Sequence, residues 1–195
     1  LAEQTGLINT LGLWALENAC MQLVAWAGES DKSHWVVAVN VSAHQLQQAD
    51  FVAQVQAVLA RTGVRTQSLK LELTESVLLH DLDDIICKMS ALKALGLRFS
   101  LDDFGTGYSS LSYLKHLPLD QLKIDRAFVS DVLVNPQDAA IAKTIINLAA
   151  GLNFAVIAEG VETPAPRAFL LENGCHTFQG ELFSGPVTVG VFEQY

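Results

Sequence analysis

The stretch Leu97-Arg98-Phe99-Ser100-Leu101-Asp102-Asp103-Phe104-Gly105-Thr106-Gly107 runs from an apolar segment straight into two adjacent carboxylates and a glycine-punctuated loop. Leu97 to Leu101 reads as a buried strand, and Asp102 to Ser110 as a polar loop in which Gly105 and Gly107 supply unusual dihedrals and some mobility. Two carboxylates at one strand end repel each other and are costly to bury unless something compensates them. A single pair of this kind is compatible with an ordinary turn. The rest of the chain, however, repeats the pattern.

Strands are expected over Trp35–Val41, Leu69–Thr74, Gln121–Ile124, Phe154–Ala158 and Cys175–Phe178, which with Leu97–Leu101 makes six. Between them fall amphipathic helices over about Asn9–Gly28, Phe51–Ala60 with Asp50 as N-cap, Leu78–Leu95, Gln137–Ala150, and from Pro164 to near Gly174. Leu82, Ile85, Ile86, Met89 and Leu92 show the three-and-four spacing, and Gly63, Gly96 and Gly151 mark helix ends. Strand–helix alternation implies a parallel sheet with right-handed crossovers, either an open doubly wound sheet or a closed barrel. Half of the chain is hydrophobic and only 17% is charged, which suits strands covered on both faces.

Each expected strand ends in an acid, an amide or a lysine. These are Asn40, Glu72, Asp102 with Asp103, Lys123, Glu159 and Gln179. In a barrel the C-terminal strand ends converge on one mouth. That would gather the four carboxylates of Glu72, Asp102, Asp103 and Glu159 with two amides. Hard oxygen donors suit Mg²⁺ or Mn²⁺. Adjacent aspartates can serve two ions roughly 3.5–4 Å apart, with metal-bound water as the nucleophile of an in-line displacement at phosphorus. Lys123 would orient that water or neutralise phosphate charge. The residues alone point to a metal-dependent phosphoester hydrolase.

The whole-chain numbers narrow the field. A length of 195 residues is one ordinary domain, 1–195. A net charge of −9 argues against non-specific binding of nucleic acid or an anionic membrane. Cys20, Cys87 and Cys175 are odd in number and form no CxxC pair, as expected of reduced thiols in a cytoplasmic protein. His34, His44, His80, His116 and His176 form no HExxH pattern and read as surface or loop residues. No apolar run reaches the ~18 residues of a membrane span, and no signal peptide is visible. The chain opens at Leu1 without methionine and is expected to be part of something longer.

Seven stretches, in order, resemble the EAL domain family. They are Ala2-Glu3-Gln4-Thr5-Gly6-Leu7-Ile8, Val39-Asn40-Val41-Ser42, Glu72-Leu73-Thr74-Glu75-Ser76, Asp102 through Leu111, Lys123-Ile124-Asp125-Arg126, Ala158-Glu159-Gly160-Val161-Glu162-Thr163 and Gln179-Gly180. The resemblance implies an α/β fold, a (β/α)₈ TIM-like barrel of which this chain supplies about six strands. It implies hydrolysis of cyclic di-GMP to linear pGpG with Mg²⁺ or Mn²⁺, two ions. Asn40, Glu72 and Asp102 would ligate one ion; Asp102 would bridge to the second, held also by Asp103 and Glu159. Lys123 would contact the catalytic water, Gln179 would hydrogen-bond nearby, and Asp125 and Glu162 would be supporting partners. Phe104, Gly105, Thr106, Gly107, Tyr108 and Ser109 match the family's regulatory loop, which Glu75 would brace. A homodimer and an upstream sensor or cyclase domain fit the same resemblance. Two departures stand out. The name-giving Glu-Ala-Leu strand would precede Leu1, and Glu181 replaces the tyrosine usual after Gln-Gly. A catalytically silent cyclic di-GMP receptor or protein-interaction module is the alternative.

Overall fold

The computed structural model describes residues 6–79, 81–107 and 111–195, so the expectations placed on residues 2–5, His80, Tyr108, Ser109 and Ser110 lie outside it. Six strands appear, as expected: β1 (Val37–Val41), β2 (Leu69–Thr74), β3 (Arg98–Phe104), β4 (Gln121–Ile124), β5 (Ala155–Ala158) and β6 (Thr177–Phe178). They follow one another in chain order. The helices are α1 (Leu7–Ala27), α2 (Ala43–Gln47), α3 (Phe51–Thr62), α4 (Leu82–Ala94), α5 (Leu111–Leu114), α6 (Arg126–Ser130), α7 (Pro136–Gly151), α8 (Pro164–Glu172) and α9 (Val189–Phe192). The chain divides into two compact units, one of Leu1–Asp102 with Gly107–Asp120, the other of Asp103–Thr106 with Gln121–Tyr195.

In the first unit β1 pairs parallel with β2, and β2 with β3. Leu69, Leu71 and Leu73 are buried while Lys70, Glu72 and Thr74 are half-buried. In β1, Val39 and Val41 are buried while Ala38 and Asn40 are exposed. The expectation of strands covered on both faces is therefore corrected for β1 and β2. Their second face carries polar residues, and a strand presents alternate side chains to opposite faces. The buried face packs on helices. α1 buries Leu16, Cys20, Leu23 and Trp26, α3 buries Phe51, Val55, Val58 and Leu59, and α4 buries Ile85, Met89 and Leu92. Val24 of α1 lies outside this face and is 42% exposed.

Local corrections have local causes. Asp50 does not cap α3 with its side chain, because its carboxylate accepts instead from Gln54 Nε2 at 2.8 Å. α4 begins at Leu82 rather than Leu78, since Glu75–Leu79 forms a 3-10 turn and Asp81 caps the helix by accepting from the Asp84 amide. β3 continues past Leu101 through both aspartates to Phe104, whose side chain is buried. The short α2 carries a capping box, in which Ser42 accepts from the Gln45 amide and the Gln45 side chain accepts from the Ser42 amide. At its other end the buried Lys88 ammonium donates to the carbonyls of Leu46 and Gln47 at 3.0 and 3.2 Å, and pairs with Asp84 at 2.6 Å.

In the second unit β4 pairs parallel with β5, and β5 with β6. All four β4 residues are buried. α7 buries Ala142, Ile145, Ile146 and Ala149, and both α7 and α8 open on a proline in the first turn, where the missing N–H costs nothing.

All three cysteines are free thiols, with Cys20 and Cys175 buried and Cys87 exposed. Burial pushes the Cys20 thiol up to about 11 from 9.0. Its folded value is thus the raised one. The stability from burying it neutral is fully present below pH 9.0 and is lost as pH rises through about 11. Thermal stability is expected to decline over that window. Iodoacetamide at pH 8 is expected to modify Cys87 alone in the folded protein, and all three cysteines in urea, as read by mass spectrometry. Among the described residues no helix is long and apolar enough to cross a membrane.

Candidate metal centre

The sheet register places the candidate residues. In the first unit Asn40 lies opposite Glu72, and Glu72 opposite Ser100. Asp102 follows Ser100 by two residues along the extended β3 and shares its face. One face of this unit therefore carries Asn40, Glu72 and Asp102 in a row towards the C-terminal strand ends. Glu72 and Asp102 are half-buried and Asn40 is exposed.

The second unit repeats this logic. Lys123 and Thr177 both lie in register with Ile157. Glu159 and Gln179 each follow two residues later, so Lys123, Glu159 and Gln179 share a face. Backbone bonds carry the pairing past the strand ends. The Glu159 amide donates to Ile124, the Gln179 amide to Ala158, and the Val161 amide to Gln179. The Lys123 ammonium meets the Glu159 carboxylate at 2.6 Å, with side chains only 5% and 19% exposed.

Asp102 and Asp103 are joined by a peptide bond, and in a regular strand their side chains would point to opposite faces. Asp103 instead adopts φ 55°, in the left-handed region that aspartate tolerates better than most residues. As a result Asp102, Asp103 and Glu159 each offer one carboxylate oxygen, all within 4.8 Å of one another. Three such oxygens are mutually repulsive as anions. Hard oxygen donors in this number match a hard divalent cation and offer nothing to a soft one.

The loop after β3 is held from both ends. Asp103 O accepts from the Thr106 hydroxyl at 2.8 Å. Gly105, at φ 99°, lies where a Cβ would come within 3.1 Å of Phe128 and 3.3 Å of Ile145. The Gly107 amide donates to Glu75 Oε2 at 3.2 Å, and Glu75 is only 6% exposed. Asp125 turns out to be the N-cap of α6, accepting from the Ala127 amide at 2.7 Å. Glu162 is an exposed partner of Arg126 at 3.5 Å. The sequence reading gave Arg126 no task. The visible signal was that Arg126 follows Lys123 by the same three positions as Glu162 follows Glu159.

An α/β fold of parallel strands with carboxylates and amides at the strand ends defines a class of barrel-type domains. Within that class the EAL domain family model matches residues 1–186, and the chain belongs to the EAL domain family. It is 44% identical over 187 residues to the bifunctional diguanylate cyclase/cyclic di-GMP phosphodiesterase MucR of Pseudomonas aeruginosa PAO1, covering 96% of this chain and 27% of that protein. It is also 44% identical over 197 residues to the cyclic di-GMP phosphodiesterase NbdA of the same organism, covering all of this chain and 25% of that protein. The solved structure described as PaMucR phosphodiesterase in complex with c-di-GMP superposes with a TM-score of 0.93 at 43% identity, over 98% of this chain and 77% of that one. The fold is thus the TIM-like barrel fold of the EAL domains. The chain spans about a quarter of the length of the curated relatives it matches.

Proposed function

We propose that this chain is the phosphodiesterase domain of a bacterial signalling protein and opens cyclic di-GMP to linear pGpG. The observation that carries the reading is the Asp102–Asp103–Glu159 oxygen cluster in a family whose relative was solved with c-di-GMP. Mg²⁺ or Mn²⁺, two ions, would supply Lewis acidity and a nucleophilic water at neutral pH. Asn40, Glu72 and Asp102 would hold one, and Asp102, Asp103 and Glu159 the other. Lys123 sets its side-chain nitrogen beside Glu159, where it can hold the attacking water's position and offset charge on the phosphoryl oxygens. Gln179 offers an amide at the same strand end. Glu75 fixes the loop of residues 104–107 through the Gly107 amide. A homodimer, an upstream sensor or cyclase domain and a cytoplasmic location complete the proposal.

The test is incubation of the full-length protein with cyclic di-GMP and Mg²⁺ or Mn²⁺, with products followed by chromatography. Appearance of pGpG that EDTA abolishes supports the reading, whereas intact cyclic di-GMP in the presence of a folded protein overturns it. The departure from the family pattern that bears on ligand binding is the exposed carboxylate of Glu181, two residues after Gln179. An extra anion there works against a doubly anionic ligand. Glu181→Tyr is expected to lower KM for cyclic di-GMP about fivefold, the order of an exposed charge interaction. Recovery of turnover in that variant from a wild type that binds without cleaving would establish the receptor.

A further inference from the structure

Two cation–carboxylate pairs bridge the ends of β4 and β5. The inner one is Lys123–Glu159 at 2.6 Å, nearly buried. The outer one, three residues further along each chain segment, is Arg126–Glu162 at 3.5 Å, with side chains 71% and 49% exposed. The outer pair is too loose and too wet to matter much for folding. Its placement is nevertheless built in. Gly160, between the two glutamates, adopts φ 65°, and a Cβ there would lie 2.5 Å from Arg126 Cγ and 2.8 Å from its Cβ. The chain thus keeps a bare backbone at residue 160 over which the arginine stem lies, with its guanidinium beside Glu162.

We infer that Arg126 and Glu162 together read the base edge of a guanine in the substrate, an inference that rests on the phosphodiesterase reading above. An arginine alone would suit a phosphate as well as a base. An arginine with a carboxylate 3.5 Å away offers an acceptor beside its donors, which a phosphodiester, having no donor, leaves unused. The pair presents donors next to an acceptor. Guanine presents the complement, an O6 acceptor next to its N1–H and N2–H donors, so O6 accepts from Arg126 while N1–H and N2–H donate to Glu162. Adenine reverses that order, with an amino donor where guanine has O6 and a bare acceptor at N1. Arginine has no acceptor to offer the amino group, and an ionised carboxylate has no donor to offer N1. Recognition of this type discriminates strongly because the wrong base leaves polar groups unpaired.

The experiment compares steady-state turnover of cyclic di-GMP and cyclic di-AMP by the full-length wild type, Glu162→Gln and Arg126→Met. Glu162 is exposed, so Glu162→Gln leaves folding intact, and Arg126→Met keeps the stem over Gly160. In each variant KM for cyclic di-GMP is expected to rise about tenfold or more, with kcat held within about threefold, and the preference for guanine over adenine to shrink about tenfold. Unchanged KM and unchanged preference in both variants overturn the inference. If the wild type does not cleave cyclic di-GMP at all, the catalytic reading falls by itself. Calorimetric Kd values for the two cyclic dinucleotides on the same three proteins then decide the guanine reading. A guanine preference lost in both variants supports it, and equal affinity of the wild type for the two ligands overturns it.

Discussion

Asp102→Asn is expected to lower pGpG formation by about a thousandfold or more. Asparagine keeps the shape of the side chain and its place opposite Thr74 in the β2–β3 register. It removes a full charge from a cluster whose oxygens lie within 4.8 Å of one another. Asp102 is also the only residue assigned to both ions, so the substitution weakens both at once. Electrostatic stabilisation of a phosphoryl transition state is worth several kcal/mol in such a centre. Thermal unfolding in EDTA separates lost chemistry from lost structure. With no cation present, removing one of three mutually repelling carboxylates should leave Tm unchanged or raise it. Activity within about tenfold of wild type would remove Asp102 from the metal centre. A Tm several degrees lower in EDTA would mean that the residue serves folding instead.

Gly180→Ala is expected to be the most damaging single-methyl change in the chain, costing about 3 kcal/mol. Gly180 sits at φ 155°, and a Cβ there would overlap the backbone nitrogen, carbon and oxygen of Val161. Backbone atoms cannot step aside as a flexible side chain can. The Val161 amide and carbonyl are moreover engaged with Gln179 and Leu182 at 3.0 and 3.1 Å. Either those two bonds break or the segment after β6 moves, and Gln179 moves with it. Urea unfolding should show a lower midpoint at unchanged slope, and turnover should fall together with stability. An unfolding free energy within about 0.5 kcal/mol of wild type would show that the segment yields easily.

Much of this was legible in the sequence. Leu69–Thr74 and Gln121–Ile124 were assigned to the residue, because apolar residues alternate with polar ones through both. The helices whose ends were marked by Gly63, Gly96 and Gly151 were placed within a few residues. What escaped notice was shorter than one period of the signal. α2, α6 and α9 have five residues or fewer, so no face repeats, although Ser42 with Gln45 spelled a capping box and Asp125 stood ready as a cap. β3 was cut short at Leu101 because Asp102 and Asp103 look like loop residues. Only the burial of Phe104 beyond them shows that the strand continues. The left-handed turn at Asp103, which brings neighbouring carboxylates to one place, leaves no mark on composition or periodicity. The donor set itself was readable because an acid, an amide or a lysine stood at the end of each of the six expected strands.

The alternation along β2 has a consequence for how such a domain can change over time. Leu69, Leu71 and Leu73 belong to the core, and Lys70, Glu72 and Thr74 to the opposite face. The site and the core are thus interleaved residue by residue on one ribbon. Inserting or deleting a single residue within the strand exchanges the two sets, placing Glu72 among the leucines and a leucine beside Asn40. A descendant that gains or loses length can do so in the connections between elements. Within the strands it must keep the count, whatever substitutions it accepts.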